Sequence, residues 1–468
     1  MSFFKAYDMR GTFGVDFDLE TVYKVGKALP QVVKGRRWLV GRDCRVTSKD
    51  VRDALVKGLE EAGAEVTDLG LCTTPMVYFF TAEEDFDGSV MITASHNPPS
   101  DNGLKVSMRT ALPVGYANGL NEVERIVNTE PASQGISEQA GSPSENLPAI
   151  SEIKNPALKT YVEWMKARKP DFGGLRIGID CSNGMAAILV HELFPEAVVI
   201  NDTLDGRFPN HSPNPLKAEA REQIVSLVRK KRLDCGVIFD GDADRCMFVD
   251  ERGEFVQPDY LIPIVARATL AAGNRAIEQS KQSNNPKIIH DVRTSRGAIE
   301  ELRHMGCEPV MVPVGHAFAK PTLRKIGAVC GGELAGHYYF SEFHGCDSGV
   351  LAALRILGEV AKAKAGGKTF SEMMRPISGV YANSGEMNFK VEDKDAAIVR
   401  VLSCAATSLP PPVSRSEIDG IRIEYADAWV NIRKSNTEPY LRLIVECDTA
   451  DRLENWIIVL KGAIDDKG

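Results

Sequence analysis

No two of the ten cysteines in this 468-residue chain form a Cys-x-x-Cys pair. Their spacing fits neither a zinc site nor a disulfide framework. Scattered cysteines in a long chain read as small core residues of a protein kept in a reducing compartment. A basic excess is also missing. Lys and Arg number 56 against 64 Asp and Glu, for a net charge of −8. That balance argues against nonspecific nucleic-acid binding, which needs a basic footprint. It leaves room for a phosphorylated small molecule, because local Arg and Lys still gather in a cleft. No apolar run is long enough to span a membrane, and the opening MSFFKAYDMRGTFG has no apolar h-region. The expectation is a cytoplasmic protein without nucleic-acid or membrane partners. No fixed sequence period recurs, so solenoid repeats are not indicated.

Present instead is an ordinary soluble balance, 43% hydrophobic and 26% charged. The length makes three or four domains the default. Strand and helix alternate from the start. Arg37 to Gly41 is a short apolar strand candidate. Ser48 reads as an N-cap before Val51, Leu55 and Leu59 on one helical face, and Gly63 stops that helix. Glu65 to Leu69 and Ser89 to Thr93 read as further strands. This βαβ grammar implies a mainly parallel sheet covered by helices. Residues 129–150, rich in Ser, Pro, Gly, Glu and Gln, read as a linker or surface loop. The alternation then restarts, with strands expected at Leu175 to Asp180 and Cys235 to Phe239. Helices are expected at Met185 to Phe194 and Lys217 to Lys231. A third round follows Gly253, with strands at Lys287 to Asp291, Pro309 to Val312 and Ala328 to Gly332, then a helix from Gly349 to Ala363. The C-terminal stretch differs. Strands at Glu386 to Val391, Ile421 to Tyr425, Trp429 to Arg433 and Tyr440 to Cys447, with a helix from Ala450 to Ile464, read as a small α+β domain with an antiparallel sheet.

Four motifs carry chemistry. Asp240-Gly-Asp242-Ala-Asp244-Arg245 follows an apolar strand directly. Three carboxylates spaced two apart converge on one point at a cost that a cation offsets. Hard carboxylate oxygens suit Mg²⁺, and a strand end is where open α/β sheets bind ligands. An EF-hand does not fit, because apolar Cys246 to Val249 fill its liganding positions. Thr93-Ala94-Ser95-His96-Asn97-Pro98-Pro99 also follows a strand. Its serine is accessible on a turn fixed by Asn97-Pro98-Pro99. Read alone it is an ordinary polar loop, since adjacent Ser and His do not make a nucleophile–base pair and the G-x-S-x-G elbow of hydrolases is absent. Cys330-Gly-Gly-Glu333-Leu-Ala335-Gly-His337 crowds a carboxylate and an imidazole among glycines that let backbone approach a ligand. Arg433-Lys-Ser435-Asn436-Thr437-Glu-Pro439, with Arg442 beyond, offers hydroxyls, an amide and cations for a phosphate. It reads equally as a capped hairpin turn. Arg10, Lys105, Arg293, Arg296 and Lys320 are further basic candidates.

The order TASHNPP, DGDADR, GGELAGH, RKSNTEP resembles the α-D-phosphohexomutase family. The opening Tyr7-Asp8-Met9-Arg10-Gly11 is similar to that family's N-terminal YD-x-RG element. The resemblance spans nearly the whole chain. It implies three α/β domains with mixed, mainly parallel sheets plus a C-terminal α+β domain around a central cleft, at 1–149, 150–251, 252–374 and 375–468. It implies a phosphoserine at Ser95 that completes an Mg²⁺ site with Asp240, Asp242 and Asp244. Lys105, Arg245, His337 and Arg10 are implied as catalytic, with His337 a general base. Tyr7, Glu333, Ala335, His316, Arg293, Arg433, Ser435, Asn436, Thr437 and Arg442 are implied to bind substrate. The implied reaction moves a phosphoryl group reversibly between C6 and C1 of a hexose phosphate, through a hexose 1,6-bisphosphate that also serves as activator. GELAGH is most similar to the phosphomannomutase or dual phosphomannomutase/phosphoglucomutase group. Ala335 stands where that group often has Ser, and Arg293 where Lys is frequent. Phosphoglucosamine mutase and a non-catalytic sugar-phosphate sensor are the alternatives. A monomer or weak homodimer is expected.

Overall fold

The computed structural model describes residues 3–130, 147–153, 155–273, 285–435 and 440–465. The first sheet contains β1 (Met9–Thr12), β2 (Arg37–Arg42), β3 (Glu65–Leu71), β4 (Gly88–Ile92), β5 (Asp101–Met108) and β6 (Leu112–Pro113). The second contains β7 (Ile177–Asp180), β8 (Val198–Ile200), β9 (Cys235–Phe239), β10 (Cys246–Asp250) and β11 (Phe255–Val256). The third contains β12 (Lys287–Asp291), β13 (Glu308–Val312), β14 (Cys330–Gly332), β15 (Tyr338–Phe340) and β16 (Cys346–Asp347). A fourth, wholly antiparallel sheet contains β17 (Ala382–Asn383), β18 (Met387–Lys390), β19 (Ser414–Ser416), β20 (Ile421–Glu424), β21 (Ala428–Lys434) and β22 (Tyr440–Cys447). The expected helix over the last sheet is present at Ala450–Asp465.

The first three sheets share one topology. Their orders are β3-β2-β4-β5-β1, β8-β7-β9-β10-β11 and β13-β12-β14-β15-β16. In each, a central strand pairs in parallel on both sides, and the sheet then continues through antiparallel neighbours. The parallel strands β4 and β9 are buried along their whole length, as strands covered on both faces are. Fully buried Leu39, Phe239 and Phe340 belong to one continuous apolar cluster that runs through all three α/β units. The last sheet has its own core, around Val430, Leu443 and Trp456.

Three readings of the sequence change. Ser48 is the first residue of the helix Ser48–Glu61 rather than its cap, because its hydroxyl donates to Asp43 Oδ1 at 2.5 Å. The boundary expected at 251 falls inside the β10–β11 hairpin, whose turn uses Gly253 at φ 74°, so the second unit runs to Val256. The boundary expected at 374 cuts the helix Phe370–Ser378, which packs against the helix Arg296–His304 of the third unit. The core of the expected linker, residues 131–146, lies outside the described residues.

Candidate active site

Three of the four motifs occupy one topological position. The Ser95 loop joins β4 to β5, the Asp240 loop joins β9 to β10, and the Glu333 loop joins β14 to β15. Each leaves the carboxyl end of a parallel strand, the edge at which α/β sheets bind ligands. Ser95 is buried in the left-handed region, at φ 49°. Its N–H donates to Thr93 Oγ1 at 2.8 Å, and its hydroxyl donates to Asp240 Oδ2 at 2.7 Å. His96 Nδ1 lies 3.3 Å from the same hydroxyl, a contact that sequence adjacency did not lead us to expect. The two loops touch so closely that a Cβ on Gly241 would sit 2.6 Å from the Ser95 carbonyl oxygen, so only glycine fits there.

Asp240, Asp242 and Asp244 are buried, and a ligand atom from each lies within 4.8 Å of the others. Lys105 Nζ, brought in on β5, donates to Asp242 Oδ2 at 2.8 Å and to Asp244 Oδ2 at 2.5 Å. Burial opposes the charge on Lys105, but the two carboxylates outweigh it and raise its pKa. Burial, then Asp244 and Asp242, push the Asp240 carboxyl well above the usual range. Burial acts the same way on Asp244, but Lys105, His337 and Arg245 overcome it and hold that carboxyl low. Asp242 Oδ1 and Asp244 Oδ1 are buried without a hydrogen-bond partner among the described residues. Three clustered carboxylates, two with an orphaned oxygen, fit a hard divalent cation such as Mg²⁺.

Arg245 and His337 face each other across paired backbone, with Arg245 Nε 3.1 Å from His337 Nε2. Only a neutral ring accepts that contact. Burial and Arg245 disfavour the charged ring, yet Asp244 and Glu333 prevail and raise its pKa to about 9. The Arg245 contact needs a ring with no proton on Nε2, whereas the raised pKa favours the charged ring; a proton on Nε2 sets two donors against each other. Glu333 Oε1 is fixed by the Gly315 N–H at 3.0 Å and the Tyr339 hydroxyl at 3.1 Å. Its Oε2 lies 3.5 Å from His337 Nδ1. Ala335 sits half-buried on the turn between them. The rings of Tyr7 and His316 are 6.5 Å apart, and His316 and His337 6.2 Å. Arg10 donates to Asn97 Oδ1 at 3.1 Å, on the serine loop, and to Asp8 at 2.6 Å.

Arg433 and Arg442 stand opposite each other on β21 and β22, and both reach Glu386. Arg433 Nη2 donates at 2.9 Å and Arg442 Nη1 at 3.1 Å, while Arg293 Nη1 approaches to 3.5 Å. Burial would raise the Glu386 carboxyl, but the three guanidinium groups pull it down to about 2. Ser435 accepts from Arg442 at 3.3 Å. Asn436 and Thr437 lie outside the described residues. Two basic candidates remain: Arg296 is elsewhere, and Lys320 borders the site, since its partner Asp347 lies 3.8 Å from His337 Nε2. Arg296 bridges the third and fourth sheets, donating to Glu424 and to the Tyr425 and Ala428 carbonyls. Lys320 is fully buried, 2.7 Å from Asp347 and over the Tyr78 ring. Sequence reasoning missed Glu386, Asp347 and Thr74, whose hydroxyl donates to Asp242 Oδ2 at 2.5 Å.

Family models described as phosphoglucomutase/phosphomannomutase domains I, II, III and the C-terminal domain match residues 1–134, 152–253, 257–379 and 386–457. The chain belongs to the phosphoglucomutase/phosphomannomutase family. Such a phosphohexomutase is an isomerase. The phosphomannomutase of Escherichia coli (strain K12) is 33% identical over 460 residues, covering 95% of this chain and 94% of the relative. The phosphomannomutase of Methanocaldococcus jannaschii is 33% identical over 465 residues, covering 98% and 97%. The solved structure of a phosphoglucomutase/phosphomannomutase family protein from Burkholderia thailandensis aligns with a TM-score of 0.81 at 27% identity, covering 99% of this chain and 96% of that one. Among the described residues no helix is long and apolar enough to cross a membrane.

Proposed function

We propose that Ser95 is the phosphoryl carrier of a mutase that interconverts mannose 6-phosphate with mannose 1-phosphate, and glucose 6-phosphate with glucose 1-phosphate. The observation that carries this reading is the 2.7 Å contact between the Ser95 hydroxyl and Asp240, inside a buried carboxylate cluster held by Lys105. Curated relatives that cover nearly the whole chain and are named phosphomannomutase support the choice of mannose. Mg²⁺ held by Asp240, Asp242, Asp244 and Ser95 would supply neutralisation of charge on the phosphoryl group.

The residues divide the work. Phosphoserine Oγ releases its phosphoryl group as a sugar hydroxyl oxygen forms the new P–O bond, giving the 1,6-bisphosphate. His337 in its neutral form, oriented by Glu333, takes the hydroxyl proton, Lys105 assists proton transfer to the freed Ser95 oxygen, and Arg245 offsets charge on the moving phosphoryl group. Arg10 steadies the serine loop through Asn97. Glu333 binds sugar hydroxyls, with Tyr7, His316 and Ala335 lining the same cleft. Arg293, Arg433, Ser435, Asn436, Thr437 and Arg442 hold the phosphate that does not react. The bisphosphate then turns over and returns its other phosphate to Ser95. One chain carries every one of these groups, which favours a monomer or weak homodimer as the working unit. Ten free cysteines, nine of them buried, favour the cytoplasm.

Mass spectrometry after incubation with a hexose 1,6-bisphosphate is expected to find phosphate on Ser95. Ser95→Ala is expected to fold and lose nearly all turnover, and normal turnover in that variant would sink the mechanism. With Mg²⁺ and bisphosphate present, mannose 1-phosphate should outpace glucosamine 1-phosphate. Faster turnover of the amino sugar would assign a phosphoglucosamine mutase instead.

A further inference from the structure

The turn that follows β2 reaches under the serine loop. Arg45 Nη2 donates to the Ser95 carbonyl at 2.9 Å and to the Asn97 carbonyl at 2.7 Å. Its Nη1 donates to the Pro98 carbonyl at 2.6 Å and to the Asp101 carbonyl at 2.9 Å. One guanidinium thus ties four carbonyls of a single loop, from a side chain that is 0% exposed. Asp43 balances the buried charge, with Oδ2 3.2 Å from Arg45 Nε and Oδ1 accepting the Arg45 N–H at 3.0 Å. The other partner comes from the second unit. Phe208 lays its ring 5.0 Å from the guanidinium carbon. Two residues earlier, a Cβ on Gly206 would lie 2.3 Å from the Cys44 carbonyl oxygen, so the two units meet at this turn without space between them.

The same device recurs at the same place in the other two sheets. Asp180 Oδ1, at the end of β7, accepts the Ser182 N–H at 2.9 Å. Ser182 Oγ then donates to the carbonyl of Phe239, the residue before Asp240, at 2.6 Å. Asp291 Oδ1, at the end of β12, accepts the Arg293 N–H at 2.7 Å, and its Oδ2 accepts the Leu334 N–H in the Glu333 loop at 3.1 Å. The reason is topological. β2 and β4, β7 and β9, and β12 and β14 are sheet neighbours, so the turn after one abuts the loop after the other.

We infer that Arg45 is a positioning residue for phosphoryl transfer, the strongest of three equivalent strand-end clamps that each fix one working loop of the site. Ser95 has a left-handed backbone, which a non-glycine residue holds only when its surroundings impose it. The bond from Arg45 to the Ser95 carbonyl fixes the peptide plane that follows, and with it the direction in which Cβ carries Oγ toward Asp240. A planar fork is needed to serve carbonyls on two sides, and a lysine ammonium has no such fork. The inference rests on Ser95 being the phosphoryl carrier.

Two variants of the full chain test it, Arg45→Lys and Phe208→Leu, the second weakening the support without touching the loop. Steady-state kinetics with mannose 1-phosphate should show kcat falling on the order of a hundredfold in Arg45→Lys, as a displacement of about 1 Å in reacting groups does. KM should stay near wild type, because the phosphate cradle and the Glu333 loop are not altered. Radiolabelled phosphoserine should also lose its phosphate to water faster than in wild type. Phe208→Leu should shift kcat and phosphoserine lifetime in the same direction by less. Wild-type kcat and phosphoserine lifetime in a folded Arg45→Lys would overturn the inference, as would kcat and KM shifting together. If Arg45→Lys does not fold, an unchanged Phe208→Leu overturns it. Absence of phosphate from Ser95 in the wild type would instead overturn the carrier role itself.

Discussion

Thr74 and Asp242 are joined twice across two units of the chain. The Thr74 hydroxyl donates to Asp242 Oδ2 at 2.5 Å, and its N–H donates to the Asp242 carbonyl at 3.1 Å. Thr74 opens the helix Thr74–Glu83, so the helix N-terminus adds favourable potential to the carboxylate. The hydroxyl orients Asp242, whose buried Oδ1 has no hydrogen-bond partner among the described residues. Thr74→Val keeps shape and the backbone bond but removes this orientation. The concentration of Mg²⁺ giving half-maximal activity should rise roughly 10- to 100-fold, the usual cost of losing such a supporting group. Calorimetric titration of the variant with Mg²⁺ should show the same loss, and an unchanged midpoint in both would refute the assignment.

Glu386 has a different relation to its neighbours, since it gathers three positive groups rather than completing a negative one. Arg293, Arg433 and Arg442 repel one another, and Glu386 is what lets them converge. Asp291 also holds Arg293, at 2.5 Å, so the cluster keeps a net charge of +1 from three cations and two anions. Glu386→Ala leaves the arginines without their common anchor. KM for mannose 1-phosphate should rise about tenfold, the scale of one lost charge-assisted contact, while kcat at saturation changes less. An unaltered KM would mean that the cradle is organised without Glu386.

Much of this site was legible because its motifs follow apolar strands that announce themselves. β9, β12 and β22 run as expected from their apolar residues. The supporting shell was not legible, because each member acts across a distance in sequence that no local pattern reports. Arg45 lies in the short stretch between a strand and a helix, yet it serves carbonyls more than fifty residues away. Thr74 reads as an ordinary helix start before Pro75, and its partner is 168 residues on. The shared topology of three sheets was hidden for a related reason. Topology is set by which strands pair, and these units preserve pairing without a sequence period. β5 begins with Asp101-Asn102-Gly103, residues typical of turns, so its strand character shows only once it pairs between β1 and β4.

Asp259, near the joint between the third and fourth sheets, gives the molecule a pH dependence of stability. Its carboxyl is buried, with Oδ2 accepting the Ser295 N–H at 2.9 Å and Oδ1 without a partner among the described residues. Burial, reinforced by the nearby Glu446 and Asp291, pushes its pKa up to about 7 despite the Ser295 bond. In the unfolded chain the group ionises near the ordinary value of about 3.9. Between these two values the folded state binds more protons than the unfolded one, so stability falls as pH rises from about 4 to 7 and levels off above. Asp259→Asn keeps an acceptor for Ser295 and has no charge to bury. Thermal unfolding followed across pH should therefore show the variant above wild type at about pH 8, with the gain fading to nothing at about pH 4. A constant difference between the two proteins over that range would show that Asp259 does not titrate in this way.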